Sequence, residues 1–209
     1  MLLVTFIKGI VIGLVIALPV GPVGLLSVRR TLFEGAWMGL ASGLGATCAD
    51  TVFGVIAGFG LTYLGKILLG YQDLLGAWGG VFLVGAGAHA LFSDAPTQPE
   101  PLAGEALAGT FLSAFALTLI NPITVLSFTM IFAKVGLDSG ADAASIAAIV
   151  AGVFAGSAFW WMGLTATVAW LRRRTGGFAM ARLNRASGAI LSLAGAGLLI
   201  AATIALWRR

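Results

Sequence analysis

Six long stretches of this chain carry almost no charge, and each is long enough to cross a lipid bilayer as a helix. Spanning the hydrocarbon core takes about 20 apolar residues in a helix. Of the 209 residues, 59% are hydrophobic and 10% are charged, and the mean hydropathy is +1.03. A soluble domain of this size cannot bury so much apolar surface. We therefore expect an all-α integral membrane protein, since helices satisfy their own backbone hydrogen bonds in lipid.

Charged residues divide the chain into six predicted transmembrane segments, and Asp50 is the one charged residue inside any of them. The segments are Gly9–Val28, Gly35–Gly65, Leu74–Ser93, Ala106–Ala133, Ala143–Leu171 and Ala186–Trp207. The formal net charge is +4, but the basic residues lie singly or beside apolar segments. Such placement is typical of contact with anionic lipid headgroups, so we expect membrane lipid and no nucleic acid among the partners.

The two halves of the chain contain similar motifs in the same order. Gly21-Pro22 in the first segment matches Asn121-Pro122 in the fourth. Pairs of glycines recur in the second and fifth segments, and again in the third and sixth. We therefore predict one transporter domain of two three-helix repeats, residues 1–93 and 106–209, joined by a polar linker at 94–105. An odd number of helices in each repeat gives the two repeats opposite orientations in the membrane, an inverted repeat.

Prolines interrupt the first and fourth segments at matching places. A proline inside a helix removes a backbone donor and clashes with the preceding turn, so both of these helices should be broken. Matched breaks in two repeats are a pointer to the binding site of a transporter. The predicted substrate-binding residues are Pro19, Gly21, Pro22, Gly24, Ser27, Thr118, Asn121, Pro122 and Thr124. Two alternatives stay open: the breaks are packing kinks, or the polar side chains satisfy the broken backbone.

Asp50 is a candidate for proton coupling. At helical spacing it shares a face with small residues that include Gly43 and Gly54, so we expect it to face other helices rather than lipid. A carboxylate inside the membrane is costly, which favours a role in proton uptake or in pairing with a substrate ammonium. A structural acid without such a role stays an alternative. In the second half the same stripe has Gly163 in the place of Asp50, and it runs through Gly152, Gly156, Gly163 and Thr167.

The remaining candidate residues give no metal or cofactor site. Cys48 and His89 have no second ligand at metal-binding spacing, so we expect neither a metal site nor a cofactor. Trp160 and Trp161 lie in the middle of the fifth segment, where they either pack or line a cavity and offer a ring face to a cation. The run Arg172–Arg174, with two further arginines after it, predicts a basic loop before the sixth segment.

At these motifs the sequence resembles the lysine exporter (LysE type) family of bacterial amino-acid efflux proteins. The resemblance rests on Leu18–Pro22, on Gly39–Gly45 with Ala49–Phe53 and Ala57–Leu61, and on Leu119–Pro122. It implies a secondary transporter of the bacterial cytoplasmic (inner) membrane that exports amino acids or related small molecules, driven by the proton motive force.

Other functions stay open beside this one. The superfamily also contains exporters of metal ions and other small solutes. An intramembrane enzyme would need an acid or base partner for Asp50, so we expect no enzyme. A scaffold that assembles through its glycine faces is a further alternative, and a homodimer stays open as a partner.

Overall fold

A computed structural model describes residues 1–18, 21–58, 72–92, 104–121, 124, 127–128, 142–174 and 177–207. These residues form helices, with no strand among them. The helices are α1 Leu2–Ala17, α2 Pro22–Phe33, α3 Ala36–Gly58, α4 Gln72–Phe92, α5 Gly104–Leu119, α6 Ala143–Arg174 and α7 Gly177–Trp207.

The first predicted segment is broken into α1 and α2, whose axes differ by 81°. Gly21 is the N-cap of α2 with an extended backbone, and Pro22 is its first helical residue. Proline fits there because the N–H that it lacks would have no partner inside the helix. The break was therefore predicted correctly, although α1 begins at Leu2, ahead of the predicted Gly9. Pro19 lies outside the described residues.

The fourth predicted segment also leaves the helix at its proline motif. α5 ends at Leu119, and the Asn121 N–H then donates to the Thr118 carbonyl in a tight turn, at 3.2 Å. A residue before proline is driven out of the helical conformation by contact with the proline ring, which explains the end at this point. Pro122 lies outside the described residues, as does most of the chain from there to 141.

Three described helices are long and apolar enough to cross a membrane by themselves, over Ala36–Ala57, Ala143–Arg174 and Asn184–Trp207. The bent pair α1–α2 together would make a fourth span. The apolar parts of α4 and α5 are shorter than a full span. The described chain is therefore a multi-pass helical membrane protein.

Glycine contacts fix the directions of the helices around α6. A methyl group added to Gly9 of α1 would strike the Ile149 carbonyl of α6, and one added to Gly13 would strike the Val153 carbonyl. Because both residue numbers rise together, α1 and α6 are parallel. Against α3 the order is reversed, since Gly43 faces Trp161 and Gly54 faces Val153. α3 and α6 are therefore antiparallel.

The other two main contacts follow the same logic. Along α3 and α5, Met38 contacts Thr110, whereas Gly45 lies against the Phe111 carbonyl and the Phe115 N–H. Residue numbers rise together on both helices, so α3 and α5 are parallel. α4 and α7 are antiparallel, because Gly80 packs on Gly195 whereas Gly87 packs on Gly188. Glycine allows these backbones to approach closely, which is the usual way that helices pack in lipid.

The apolar core has two main parts. One contains residues from each of the helices α2, α3, α4, α5, α6 and α7, namely Val23, Leu26, Ala46, Leu83, Leu117, Trp161 and Leu191. The other joins α1, α3 and α6 through Ile12, Phe53, Ile149 and Val153, with Phe128 packed on Phe53.

The predicted basic loop before the sixth segment is wrong for the residues that the structure describes. Arg172–Arg174 form the last turn of α6, where positive charge is favourable at the C-terminal end of the helix dipole. The guanidinium of Arg174 lies 4.4 Å from the ring centre of Trp170. Arg182 and Arg185 lie inside α7. Both helices extend further than the apolar pattern showed, because arginine itself is a good helix former.

The N-terminus of α6 is fixed by an acidic cap. The Asp142 carboxylate accepts a hydrogen bond from the Ser145 N–H at 3.1 Å. Hydrogen bonding by the Ser145 side chain, and then by its backbone N–H, holds the pKa of the exposed Asp142 carboxyl below its usual range.

Candidate functional site

A cavity of about 40 Å³ lies where α1, α2, α3 and α6 meet the end of α5. It is lined by Ile16, Ala17, Gly21, Val23, Gly24, Ala46, Asp50, Thr118, Asn121, Thr124 and Trp161. One water molecule needs about 10–15 Å³ of such space, so this cavity holds about three. Glycine, the smallest amino acid, has more non-hydrogen atoms than the three water molecules that fit here. The cavity in this structure is therefore contracted relative to the size that a bound amino acid requires.

Most of the predicted site residues that the structure describes line this cavity. They are Gly21, Gly24, Asp50, Thr118, Asn121 and Thr124. Pro22 lines a smaller pocket that also contains Asn121. Pro19 and Pro122 lie outside the described residues, so their placement stays a prediction. Residues of both broken segments and the intramembrane acid therefore share one space.

Asp50 of α3 is buried, with 3% of its surface exposed. Its Oδ2 accepts a hydrogen bond from the Ser157 hydroxyl of α6 at 2.7 Å. The Ser157 oxygen is also 3.3 Å from the Thr47 hydroxyl, which itself donates to the Gly43 carbonyl. Within the described ranges no basic side chain contacts Asp50. A carboxylate held this way can accept a proton or pair with a cation that enters the cavity.

The N-terminus of α2 forms another part of the cavity wall. The first-turn N–H groups of a helix have no acceptor within it, and this end carries partial positive charge. Gly21, Val23 and Gly24 of this turn all line the cavity. A methyl group added to Gly21 would meet nothing within 4 Å, so the N-cap faces open space. The cavity therefore combines one acidic side chain with one electropositive helix end.

α5 brings hydroxyl and amide groups to the same space. The Thr118 hydroxyl donates to the Ala114 carbonyl at 2.8 Å, which leaves its oxygen able to accept a further bond. The Thr124 N–H donates to the Asn121 carbonyl at 3.1 Å. These backbone and side-chain bonds support part of the alternative interpretation, in which polar residues satisfy the broken helix.

Ser27 is not among the residues that line the cavity. It is fully buried between α2 and α3, where its hydroxyl donates to the Gly39 carbonyl at 3.3 Å. Its own carbonyl accepts from the Thr31 hydroxyl at 2.8 Å. In this arrangement Ser27 joins two helices, so the prediction that it belongs to the substrate site finds no geometric support.

Trp161 was missing from the predicted site, although its ring was considered as a cavity lining. It is 6% exposed and lies on α6, with its Cβ against Gly43 of α3. The stripe predicted on α6 is right at Gly152 and Gly156, which are buried, and wrong at Gly163 and Thr167, which are exposed. α6 is rich in small residues on every side, so their spacing gave no reliable direction for its inner face. A tryptophan in mid-membrane, away from the headgroups, was the available signal.

Arg30 forms a second polar centre that the sequence did not indicate. Its guanidinium donates to the Ser42 hydroxyl at 2.9 Å, the Thr110 carbonyl at 3.1 Å and the Ser113 hydroxyl at 2.8 Å. It thereby joins α2, α3 and α5. The neighbouring Arg29 is 3.5 Å from Glu34. In the part of the chain that is described, no group of three His, Cys, Asp or Glu side chains could hold a metal ion.

A helical membrane protein with a polar cavity at two interrupted helices is built like a transport protein. Residues 14–202 match the family model "LysE type translocator". Because the match covers most of the chain, this protein belongs to the LysE family of translocators, which confirms the resemblance found in the sequence. Membership of a translocator family favours transport over catalysis.

One similar protein comes from Bacillus subtilis (strain 168) and is named "Putative amino acid efflux protein YcgF". It is 28% identical over 137 residues, which cover 62% of this chain and 63% of that protein. The chain therefore matches less than two thirds of this relative's length. No solved structure matches the chain.

Proposed function

We propose that this protein exports amino acids across the bacterial cytoplasmic membrane in exchange for protons. Family membership and the efflux name of the Bacillus relative support this function. The observation that carries it is the shared cavity, where Asp50 meets the polar groups of both broken segments. An amino acid has an ammonium group that suits Asp50 and a carboxylate that suits the N-terminus of α2.

Asp50 provides a simple basis for coupling. An ionised carboxylate with no proton and no cation costs about 3 kcal/mol or more at the centre of a membrane helix. The protein therefore changes conformation with Asp50 neutralised, either by a proton or by the substrate ammonium. Because the two compete for one carboxylate, a proton moves inward for each substrate that moves outward. The substrate's carboxylate is held at the same time by the first turn of α2.

The helix directions support the proposed inverted repeat. α3 and α6, the second helices of the two halves, are antiparallel. α1 packs in parallel on α6, and α5 packs in parallel on α3. Exchanging the two halves therefore exchanges these two contacts, as a two-fold axis in the membrane plane requires. In this arrangement the cavity lies at the interface between repeats.

The test is efflux from proteoliposomes loaded with a radiolabelled amino-acid mixture, with and without an imposed pH gradient that is acidic outside. The wild-type protein should release label faster with the gradient, and collapse of the gradient should remove the gain. Asp50→Asn should transport about 100-fold more slowly, since losing one partner of a buried charge pair costs on the order of 3 kcal/mol. Glu105→Gln changes an exposed acid in the first turn of α5 and should behave as wild type.

Three outcomes would contradict the proposal. Efflux that ignores the gradient would remove proton coupling, and so would an Asp50→Asn variant with normal gradient-driven efflux. If vesicles loaded with a divalent metal ion release it, while vesicles loaded with amino acids release none, the metal-exporting branch of the superfamily would be favoured.

A further inference from the structure

A second, smaller pocket of about 10 Å³ adjoins the cavity and shares two of its wall residues, Val23 and Asn121. Its lining consists of Pro22, Val23, Gly76, Gly79, Leu117, Ile120, Asn121 and Leu198. This volume is about that of one water-sized probe, which is close to the size of a methyl group. The pocket extends from the cavity towards α4 and α7.

Two glycines of α4 set the size of this pocket. Gly76 is buried, yet a methyl group added to it would meet no atom within 4 Å, so the space lies directly over its Cα. At Gly79 an added methyl group would lie 3.1 Å from Ile120 and 3.4 Å from Leu117, so the space closes there. Asn121 is the one polar side chain among these lining residues. The pocket is therefore small, apolar and open at Gly76.

Charge limits what the two spaces can hold together. Of the described residues that line the cavity or the pocket, Asp50 is the one with an ionisable side chain. A substrate ammonium uses that charge. A second ammonium or guanidinium in the substrate side chain would be buried without a partner, and so would a side-chain carboxylate.

We propose that this pocket receives the substrate side chain, and that the protein selects amino acids with small, neutral, aliphatic side chains. This inference rests on the proposed amino-acid export through the cavity. The ammonium lies at Asp50 and the carboxylate at the first turn of α2. The side chain points past Val23, with its Cβ in the cavity and one terminal methyl group in the pocket over Gly76. Longer aliphatic side chains are excluded by the packing of Ile120 and Leu117, and charged ones by the lack of a counter-charge.

The experiment measures competition in proteoliposomes, with radiolabelled alanine as the probe and unlabelled valine, leucine, lysine and glutamate as competitors. Valine should compete well, leucine weakly, and lysine and glutamate least. Gly76→Ala places a methyl group in the pocket and should reduce competition by valine about tenfold relative to unlabelled alanine, the usual discrimination for one or two methylene groups. Leu198→Ala enlarges the pocket and should improve competition by leucine.

Gly85→Ala is the matched control, because Gly85 lies on the same helix, is exposed and also has open space. It should leave the order of competitors unchanged. Lysine or glutamate competing as well as valine would overturn the inference while amino-acid export stands. The same holds if Gly76→Ala and Leu198→Ala leave the order unchanged. A wild-type protein that transports no amino acid would instead overturn the proposed function.

Discussion

Two helix pairs flank the cavity, and they are held together by different chemistry. α1 and α6 meet through glycines on both sides, Gly9 and Gly13 on α1 and Gly152 and Gly156 on α6, so that backbone lies directly on backbone. α3 and α5 have one such contact, between Gly45 and the Phe111 carbonyl. The rest of their contact includes the hydrogen bonds of Arg30.

The difference indicates which pair separates more easily. Close glycine packing gains dispersion energy that lipid cannot replace once the helices part, and it leaves no polar group to hydrate. Hydrogen bonds from Arg30 can be exchanged for bonds to water that enters from the membrane surface. We therefore expect α1 and α6 to move as one body, and the α3–α5 contact to loosen when the contracted cavity opens for substrate.

The glycine contacts of the two pairs also change which residue of the second half corresponds to Asp50. Gly45 lies against the Phe111 carbonyl of α5 as Gly156 lies against the Ile10 carbonyl of α1. Counting five residues onward from each glycine leads to Asp50 on α3 and to Trp161 on α6, and both line the cavity. Under the proposed repeat, the acid of one half is therefore matched by an aromatic ring in the other, where the sequence comparison placed Gly163.

The largest effect is expected from Gly156→Val on α6. The added side chain would strike the Ile10 carbonyl. Because backbone cannot move aside as a side chain can, the cost should be at the upper end of the usual range for overpacking, about 3 kcal/mol. Thermal unfolding in detergent should show a clearly lower midpoint. Gly163→Val on the same helix has exposed, open surroundings and should unfold like the wild type. Equal midpoints for the two variants would show that glycine contact does not hold α1 and α6 together.

An intermediate effect is expected from Arg30→Gln. The variant loses charge-assisted hydrogen bonds between α2, α3 and α5. Because the glutamine amide can replace some of them, the expected net loss is about 1.5 kcal/mol. The labelling rate of a cysteine introduced at the α3–α5 contact should rise. The labelling rate of a cysteine introduced at the α1–α6 contact should not change. Arg173→Gln, at an exposed residue, serves as the control. A rise at α1–α6 alone would reverse the assignment of the mobile pair.

The smallest effect is expected from Ser157→Ala. It removes the hydrogen bond between Ser157 of α6 and Asp50 of α3, a polar contact between the two helix pairs, and such a bond contributes about 1 kcal/mol. Gradient-driven efflux should slow several-fold without being lost. Thr51→Val removes a hydroxyl that bonds within α3 and should leave the rate unchanged. Complete loss of efflux in Ser157→Ala would mean that this hydroxyl itself binds substrate or protons.

Some parts of the site followed from local chemistry in the sequence. The break at Gly21-Pro22 was predictable because proline restricts its own backbone and that of its neighbour in any context. The burial of Asp50 followed from its spacing to Gly43 and Gly54, since a carboxylate avoids lipid. Neither prediction needed knowledge of which helices are neighbours.

Other parts depended on contacts between distant segments. The place of Ser157 beside Asp50 joins residues far apart in the chain, and nothing in α6 distinguishes that serine from a surface residue. The same is true of Arg30, which looked like a residue at the end of an apolar segment and turned out to join three helices.

The sequence alone determined that this protein is a helical membrane protein of the LysE type with broken first and fourth segments, because apolar length and proline act locally. Only the tertiary structure decided that Trp161 rather than Gly163 faces the cavity, and that a small pocket lies over Gly76. Those features depend on the rotation of each helix about its axis, which is set by packing against its neighbours.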